Sequence, residues 1–236
     1  MYHQHFRSID STQAFLKEKL EELKTLDNNI LISATNQTAG VGRKGNAWET
    51  LPNALAMSFT LKPNCVPTMT PIEIGLLVTR FIKDRFQKKI QLKWPNDLLT
   101  REGKKCGGIL SQYIDAQNVI AGIGLNLGKI LPPPQSLAYP LGVAAILPEL
   151  QLLDIDQENI SKDLYSYLLK NRYINQDELR RDFNQSCFHL NMKVLIQEDQ
   201  GEFIGFFRGI GSNGEALVEI NATIHHFLSS SLSIIN

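Results

Sequence analysis

Apolar positions recur along this chain at two periods, and the switches between them mark out its elements. Leu16, Leu20, Leu23 and Leu26 fall three or four apart, which predicts a helix over about 12–26. Asp10 and Gln13 stand ahead of it in a capping-box-like pattern. NNILISAT reads as a strand near 29–35 and NALAMSFTLK as another near 53–62. Thr70-Pro71-Ile72-Glu73 is a helix start, with Thr as N-cap, Pro at the first position and Glu at the third. The helix it opens runs to about Gln87, with Ile74, Leu77, Val78, Phe81 and Ile82 on one face. Short strands follow at 89–94, 98–100, 106–114 and 118–127, joined by hairpin-sized linkers, so the sheet is mixed or antiparallel rather than built of repeated βαβ units. LPPPQ (131–135) cannot continue helix or sheet and reads as an irregular loop. Helices are expected near 156–172 and 176–187. Beyond them five short strands, broken by turns such as Ser212-Asn213-Gly214, suggest a small β-barrel. The expectation is an α+β protein with a large domain over 1–187 and a small β domain over 188–236.

Composition narrows the function classes. The 236 residues carry 24 Lys plus Arg against 24 Asp plus Glu, so no net charge favours wrapping nucleic acid or lying on an anionic membrane. Three cysteines without a C-x-x-C spacing argue for a reducing compartment and against a disulfide framework or zinc site. No apolar run approaches 18 residues and the N-terminus has no signal-peptide core, so a cytoplasmic location is expected.

The candidate chemistry lies in three glycine-bearing segments. AGVGRKGNAWE (39–49) spells G-x-G-x-x-G, but no helix follows directly and no acid stands about 20 residues on, so the dinucleotide-binding reading fails. A P-loop also fails, for want of Gly-Lys-Ser/Thr. What remains is either a solvated turn or a ligand loop in which Arg43 gives bidentate recognition of phosphate or carboxylate. The second segment, QLKWPNDLLTREGKKCGGIL (91–110), sets Lys93 and Lys105 beside strands, where both can face one side of the sheet. Asn96-Asp97 is either an Asx turn or a binder of nucleotide or hydrated Mg²⁺. Trp94 reads as core, and of the adjacent Lys104 and Lys105 one faces inward. The third segment, AGIGLN (121–126), puts glycines inside a strand, a mark of close approach. Cations and backbone N–H groups without a protein nucleophile suit stabilisation of a phosphate or acyl-phosphate.

DSTQ (10–13), QTAGVGRKGNAW (37–48), KWPNDLL (93–99), GKKCGGIL (103–110) and GIGLNLG (122–128), in this order, resemble the motifs of the biotin–protein ligases, or biotin–[acetyl-CoA-carboxylase] ligases. The resemblance implies a class II synthetase-like catalytic domain followed by an SH3-like β-barrel. It implies ATP and Mg²⁺ as requirements, biotin as substrate, biotinyl-5′-AMP as intermediate, and a lysine of a biotin carboxyl carrier domain as acceptor. Position by position, Ser11, Thr12, Gln13 and Gln37 are similar to residues lining the biotin pocket, with Gly40, Val41, Gly42, Gly108, Gly122 and Gly124 supplying backbone around it. Lys105 resembles the lysine that touches the biotin carboxylate and the phosphate, and Arg43 the arginine that holds the adenylate. Lys93, Asn96 and Asp97 look like the triphosphate and Mg²⁺ region, and Trp48 and Asn126 like residues flanking adenine and ribose. Val41 and Asn46 stand where the family often has arginines, and Gln112 where it commonly has Glu, which implies a loop that closes less tightly. DSTQ begins at residue 10, leaving no room for the helix-turn-helix domain of bifunctional repressors, so DNA binding is not expected. Monomer and homodimer stay open. A lipoate or octanoate ligase or transferase is the alternative enzyme, and a nucleotide-sensing module without turnover the alternative class.

Overall fold

The computed structural model describes residues 1–130, 142–198, 201–228 and 230–235; the loop expected at 131–135 lies outside them. Its elements are β1 (Tyr2–Ile9), α1 (Thr12–Lys24), β2 (Ile30–Gln37), a small hairpin of β3 (Gly40–Val41) and β4 (Ala47–Trp48), β5 (Ala54–Leu61), α2 (Thr70–Phe86), β6 (Gln91–Lys93), β7 (Asp97–Leu99), β8 (Lys105–Tyr113) and β9 (Val119–Asn126). After these come α3 (Asp154–Asn171), α4 (Gln176–Ser186), β10 (Lys193–Glu198), β11 (Gly201–Ile210), β12 (Ala216–Ile220), β13 (Thr223–Phe227) and β14 (Ser231–Ile234).

A seven-stranded sheet runs β1-β2-β5-β9-β8-β7-β6. Its β1–β2 pair is parallel and the other pairs antiparallel, which gives the mixed sheet expected of an α+β chain. Strand β2 explains why helices cover both faces. Ile30 and Ile32 pack with Leu16, Leu20 and Leu23 of α1, whereas Leu31 between them joins the larger core with α2 and α3. Strand β5 is buried at all eight positions, Ser58 and Thr60 included, so its burial does not alternate between faces.

Two helix starts differ from the sequence reading. Ser11, not Asp10, caps α1, its Oγ accepting from the Ala14 N–H at 3.3 Å. The helix stops at Lys24 and leaves Leu26 exposed, because Asp27 closes a turn by accepting from the Asn29 N–H (2.7 Å) and the N-terminal ammonium (2.6 Å). In α2, Thr70 is already helical and its Oγ1 accepts from the Asn64 N–H, 2.9 Å away. Glu73 does not cap. Fully buried, it pairs with Arg172 at 3.1 Å and accepts the backbone N–H groups of Tyr173 and Ile174, tying α2 to the end of α3. The first strand, YHQHFRSI, carries no sequence prediction at all.

The five C-terminal strands form an antiparallel sheet ordered β13-β12-β11-β10-β14. These are the five short strands expected beyond the helices, laid side by side in one small β unit. Val194, Ile196, Phe207 and Val218 from its inner face belong to the same core as Leu77, Trp94 and Leu179.

Candidate active site

The β6–β7 turn brings charged groups together through register alone. Lys93 lies opposite Asp97, and Asp97 opposite Gly108 of β8. Both carboxylate oxygens of Asp97 are used: Oδ2 accepts from Lys93 Nζ at 3.1 Å and Oδ1 pairs with Lys105 Nζ at 2.6 Å. Burial alone would raise the Asp97 carboxyl, but the two ammonium groups outweigh it and hold the group below the usual carboxylate range. Burial lowers the Arg43 guanidinium from its ordinary value, and the charge of Asp97 works the other way, so Arg43 lies within the field of this cluster. Lys105 Nζ also sits 5.7 Å from the centroid of the Trp48 ring. Trp48 lies so closely over β9 that a Cβ at residue 124 would meet its Cζ2 at 2.3 Å, so Gly124 makes room for the indole. Gly122 likewise accommodates Gln13, whose Oε1 stands 2.9 Å from where a Cβ would be.

These groups line one cavity of about 740 Å³. Thr12, Gln13, Gln37, Val41, Gly42, Arg43, Trp48, Lys93, Asn96, Asp97, Lys105, Gly108, Gly122, Gly124 and Asn126 all reach it. Ser11 and Gly40 do not: the first caps α1, and the second is pressed against the Trp48 carbonyl in the β3–β4 hairpin. At the neutral end, Gln37 Oε1 accepts from both the N–H (2.8 Å) and the hydroxyl (3.0 Å) of Thr12, and Thr12 Oγ1 lies 2.9 Å from Ser58 Oγ. Three lining residues carry buried polar atoms without a protein partner, namely Gln13 Oε1, Trp48 Nε1 and Asn126 Oδ1. Such atoms are costly unless a ligand or water satisfies them. Asn96 uses its side-chain amide on the Ile109 carbonyl at 2.7 Å, which braces the turn. Among the described residues no three His, Cys, Asp or Glu side chains gather as a metal site.

Two parts of the wall escape sequence reasoning. Met57 and Ser58 come from the middle of β5, where a fully buried run hides which positions face a cavity. Strand β14 contributes Ser231, Leu232, Ser233 and Ile234, and the preceding Ser230 carbonyl accepts from Arg43 Nη1 at 3.2 Å, while Lys44 Nζ donates to Ser231 Oγ at 3.3 Å. No local signal links strands nearly two hundred residues apart.

The sequence profile of the biotin/lipoate A/B protein ligase family matches residues 5–127. The chain is 27% identical over 222 residues to the biotin–[acetyl-CoA-carboxylase] ligase of Mycobacterium tuberculosis, covering 89% of this chain and 80% of that protein. It is 34% identical over 244 residues to the bifunctional ligase/repressor BirA of Bacillus spizizenii, covering 96% and 72%. Its fold matches that of the biotin protein ligase from Aquifex aeolicus in complex with biotin and ATP, with a TM-score of 0.76 at 22% identity over 99% of each chain.

Proposed function

The chain belongs to the biotin/lipoate A/B protein ligase family, and from that premise we propose how its cavity serves a biotin–[acetyl-CoA-carboxylase] ligase. The enzyme activates biotin with ATP as biotinyl-5′-AMP and transfers the biotinyl group to a protein lysine. The lipoate or octanoate alternative is not favoured, since the curated relatives are biotin ligases.

In the first step a biotin carboxylate oxygen attacks the α-phosphorus, the bond to the β-phosphate breaks, and pyrophosphate leaves. In the second, the acceptor amine attacks the acyl carbon, AMP departs with the former carboxylate oxygen, and the amine gives up a proton. Both nucleophiles arrive with the substrates, so the protein's task is to hold them in line and neutralise charge. The single observation that carries this reading is a neutral hydrogen-bonding end, Thr12–Gln37–Gln13, in the same cavity as a cationic end, Lys93–Asp97–Lys105 with Arg43. Gln13 Oε1, lacking a partner, suits an N–H of the ureido ring, and Trp48 and Asn126 offer free polar atoms for adenine and ribose. Lys105, oriented by Asp97 and covered by Trp48, is the group we assign to the carboxylate and the α-phosphate, and Arg43 the one that retains the adenylate.

Asp97 does not fit the Mg²⁺ ligand it resembles in sequence, because both its oxygens already carry lysines. It is better described as the anion that orients two cations. A Mg²⁺ ion would be held by the triphosphate rather than by this carboxylate, and would supply charge neutralisation there. Incubation with ATP, Mg²⁺ and either biotin or lipoate separates the readings. Pyrophosphate release with biotin alone, followed by a streptavidin-reactive carrier domain, is the expected result; release with lipoate but not biotin would sink it.

A further inference from the structure

Trp94 interrupts the polar turn that carries Lys93, Asn96 and Asp97, yet it is 1% exposed and does not itself line the cavity. Its indole N–H instead donates to the Gly214 carbonyl at 2.9 Å, across 120 residues of sequence. Gly214 belongs to the β11–β12 turn and has a φ of +74°, with Ile72 Cδ1 only 3.0 Å from where a Cβ would stand. That turn is rigid in itself, because Glu215 Oε2 accepts from the Asn213 N–H at 2.8 Å and the Gly211 N–H donates to the Glu215 carbonyl at 2.9 Å. It is also gripped a second time, by the Thr68 hydroxyl donating to the Asn213 carbonyl. The same five-stranded sheet carries, on its β14 edge, the Ser230 carbonyl and the Ser231 hydroxyl that receive Arg43 and Lys44.

We propose that Trp94 is a positioning residue that fixes the C-terminal sheet against the catalytic turn, so that β14 and the Arg43 loop together complete the nucleotide end of the cavity. The proposal rests on the ligase reading above. The hook and the Lys93–Asp97 pair stand on adjacent residues of one turn, and the sheet spans from that hook to the loop, so one docking event sets both walls. The Thr12, Gln13 and Gln37 end has no hydrogen bond to the C-terminal sheet among those described, so it is independent of the hook.

Trp94→Phe keeps an aromatic ring but removes the N–H, and Thr68→Val removes the second grip from an exposed position. Initial rates of pyrophosphate release against ATP and against biotin should give an ATP KM raised on the order of tenfold in Trp94→Phe, and less in Thr68→Val, with the biotin KM unchanged in both. Hydrogen exchange at 231–234 should quicken in step. A merely structural role would lower the active fraction, and so the rate, without separating the two KM values. If Trp94→Phe fails to fold, Thr68→Val still decides. An unchanged ATP KM in a folded variant, or equal rises in both KM values, overturns the proposal. Failure of the ligase reading itself is told apart, since the wild-type protein would then release no pyrophosphate with biotin.

Discussion

Lys105 and Arg43 are both cations on the wall of one cavity, but their surroundings differ. Lys105 Nζ is held at 2.6 Å by a carboxylate and lies beside the Trp48 face, a fixed point charge aimed by its neighbours. Lys105→Ala should lower the rate of adenylate formation by on the order of a hundredfold or more, because stabilisation of charge developing at phosphorus is lost. A single-turnover assay that found the rate unchanged would remove Lys105 from the mechanism. Arg43 sits in the loop between β3 and β4, and its bond to a backbone carbonyl is of a kind that a phosphate can replace. Arg43→Gly should leave adenylation measurable but release biotinyl-AMP, seen as biotin on lysines of a bystander protein; labelling confined to the carrier lysine would contradict it. At this scale the sequence was informative wherever a residue's chemistry is unusual. A lysine at a strand end and an arginine among glycines announce themselves, whereas the serine of β5 does not, and Gly124 announced a close approach without saying that its neighbour is Trp48 rather than a ligand.

Among the elements, the long amphipathic helices and the alternating strands could be read from period, and their edges could not. The clearest case is the start of α2. Thr70, Pro71 and Glu73 match a capping pattern, yet tertiary structure takes both polar side chains for other partners. Strand β1 went unread because it lies at the sheet edge with its residues half exposed on both faces, so no period of two develops. The real function of Glu73 gives a prediction about packing of helices. It accepts two hydrogen bonds from Arg172 and one each from the N–H groups of Tyr173 and Ile174, all with little solvent. Glu73→Gln leaves the buried guanidinium uncompensated and should cost about 3 kcal/mol, the usual penalty for removing one member of a buried pair. Urea unfolding would register this as a lower midpoint at an unchanged slope. A loss below about 1 kcal/mol would mean that water reaches Arg172 and that the pair does not bind α2 to α3.

At the scale of the whole molecule, the two sheets are joined by a short segment between α4 and β10. Cys187 bridges to Leu92 of β6, the Phe188 N–H donates to the Leu92 carbonyl at 2.9 Å, and His189 lies fully buried against Phe207 of the second sheet with a ring separation of 4.1 Å. The His189 Nδ1 stands 3.3 Å from Cys187 Sγ, and this pair is not an activated dyad, because burial pushes the thiol up to about 12 and the imidazole down to about 3. Both stay neutral, and that has a consequence for acid. An unfolded chain binds a proton at this imidazole near pH 6.5 while the folded one, with Lys93 nearby as a second deterrent, does not until about 3. Over that window the unfolded state therefore carries more protons, and stability that is complete above pH 6.5 declines as pH falls toward 3. His3 acts in the same sense, its partial burial holding it down to about 4, and so does Asp97 at still lower pH, where its lysine partners lose their counter-charge. Near pH 4.5 the His189 share should be about 2–3 kcal/mol. His189→Met, which keeps the volume and removes the titration, should flatten the fall of unfolding free energy between pH 6.5 and 4.5 while leaving the His3 share in place. A slope as steep in the variant as in the parent would place the acid sensitivity elsewhere, and would leave the junction between the sheets as a dry hydrophobic seam without an electrostatic weak point.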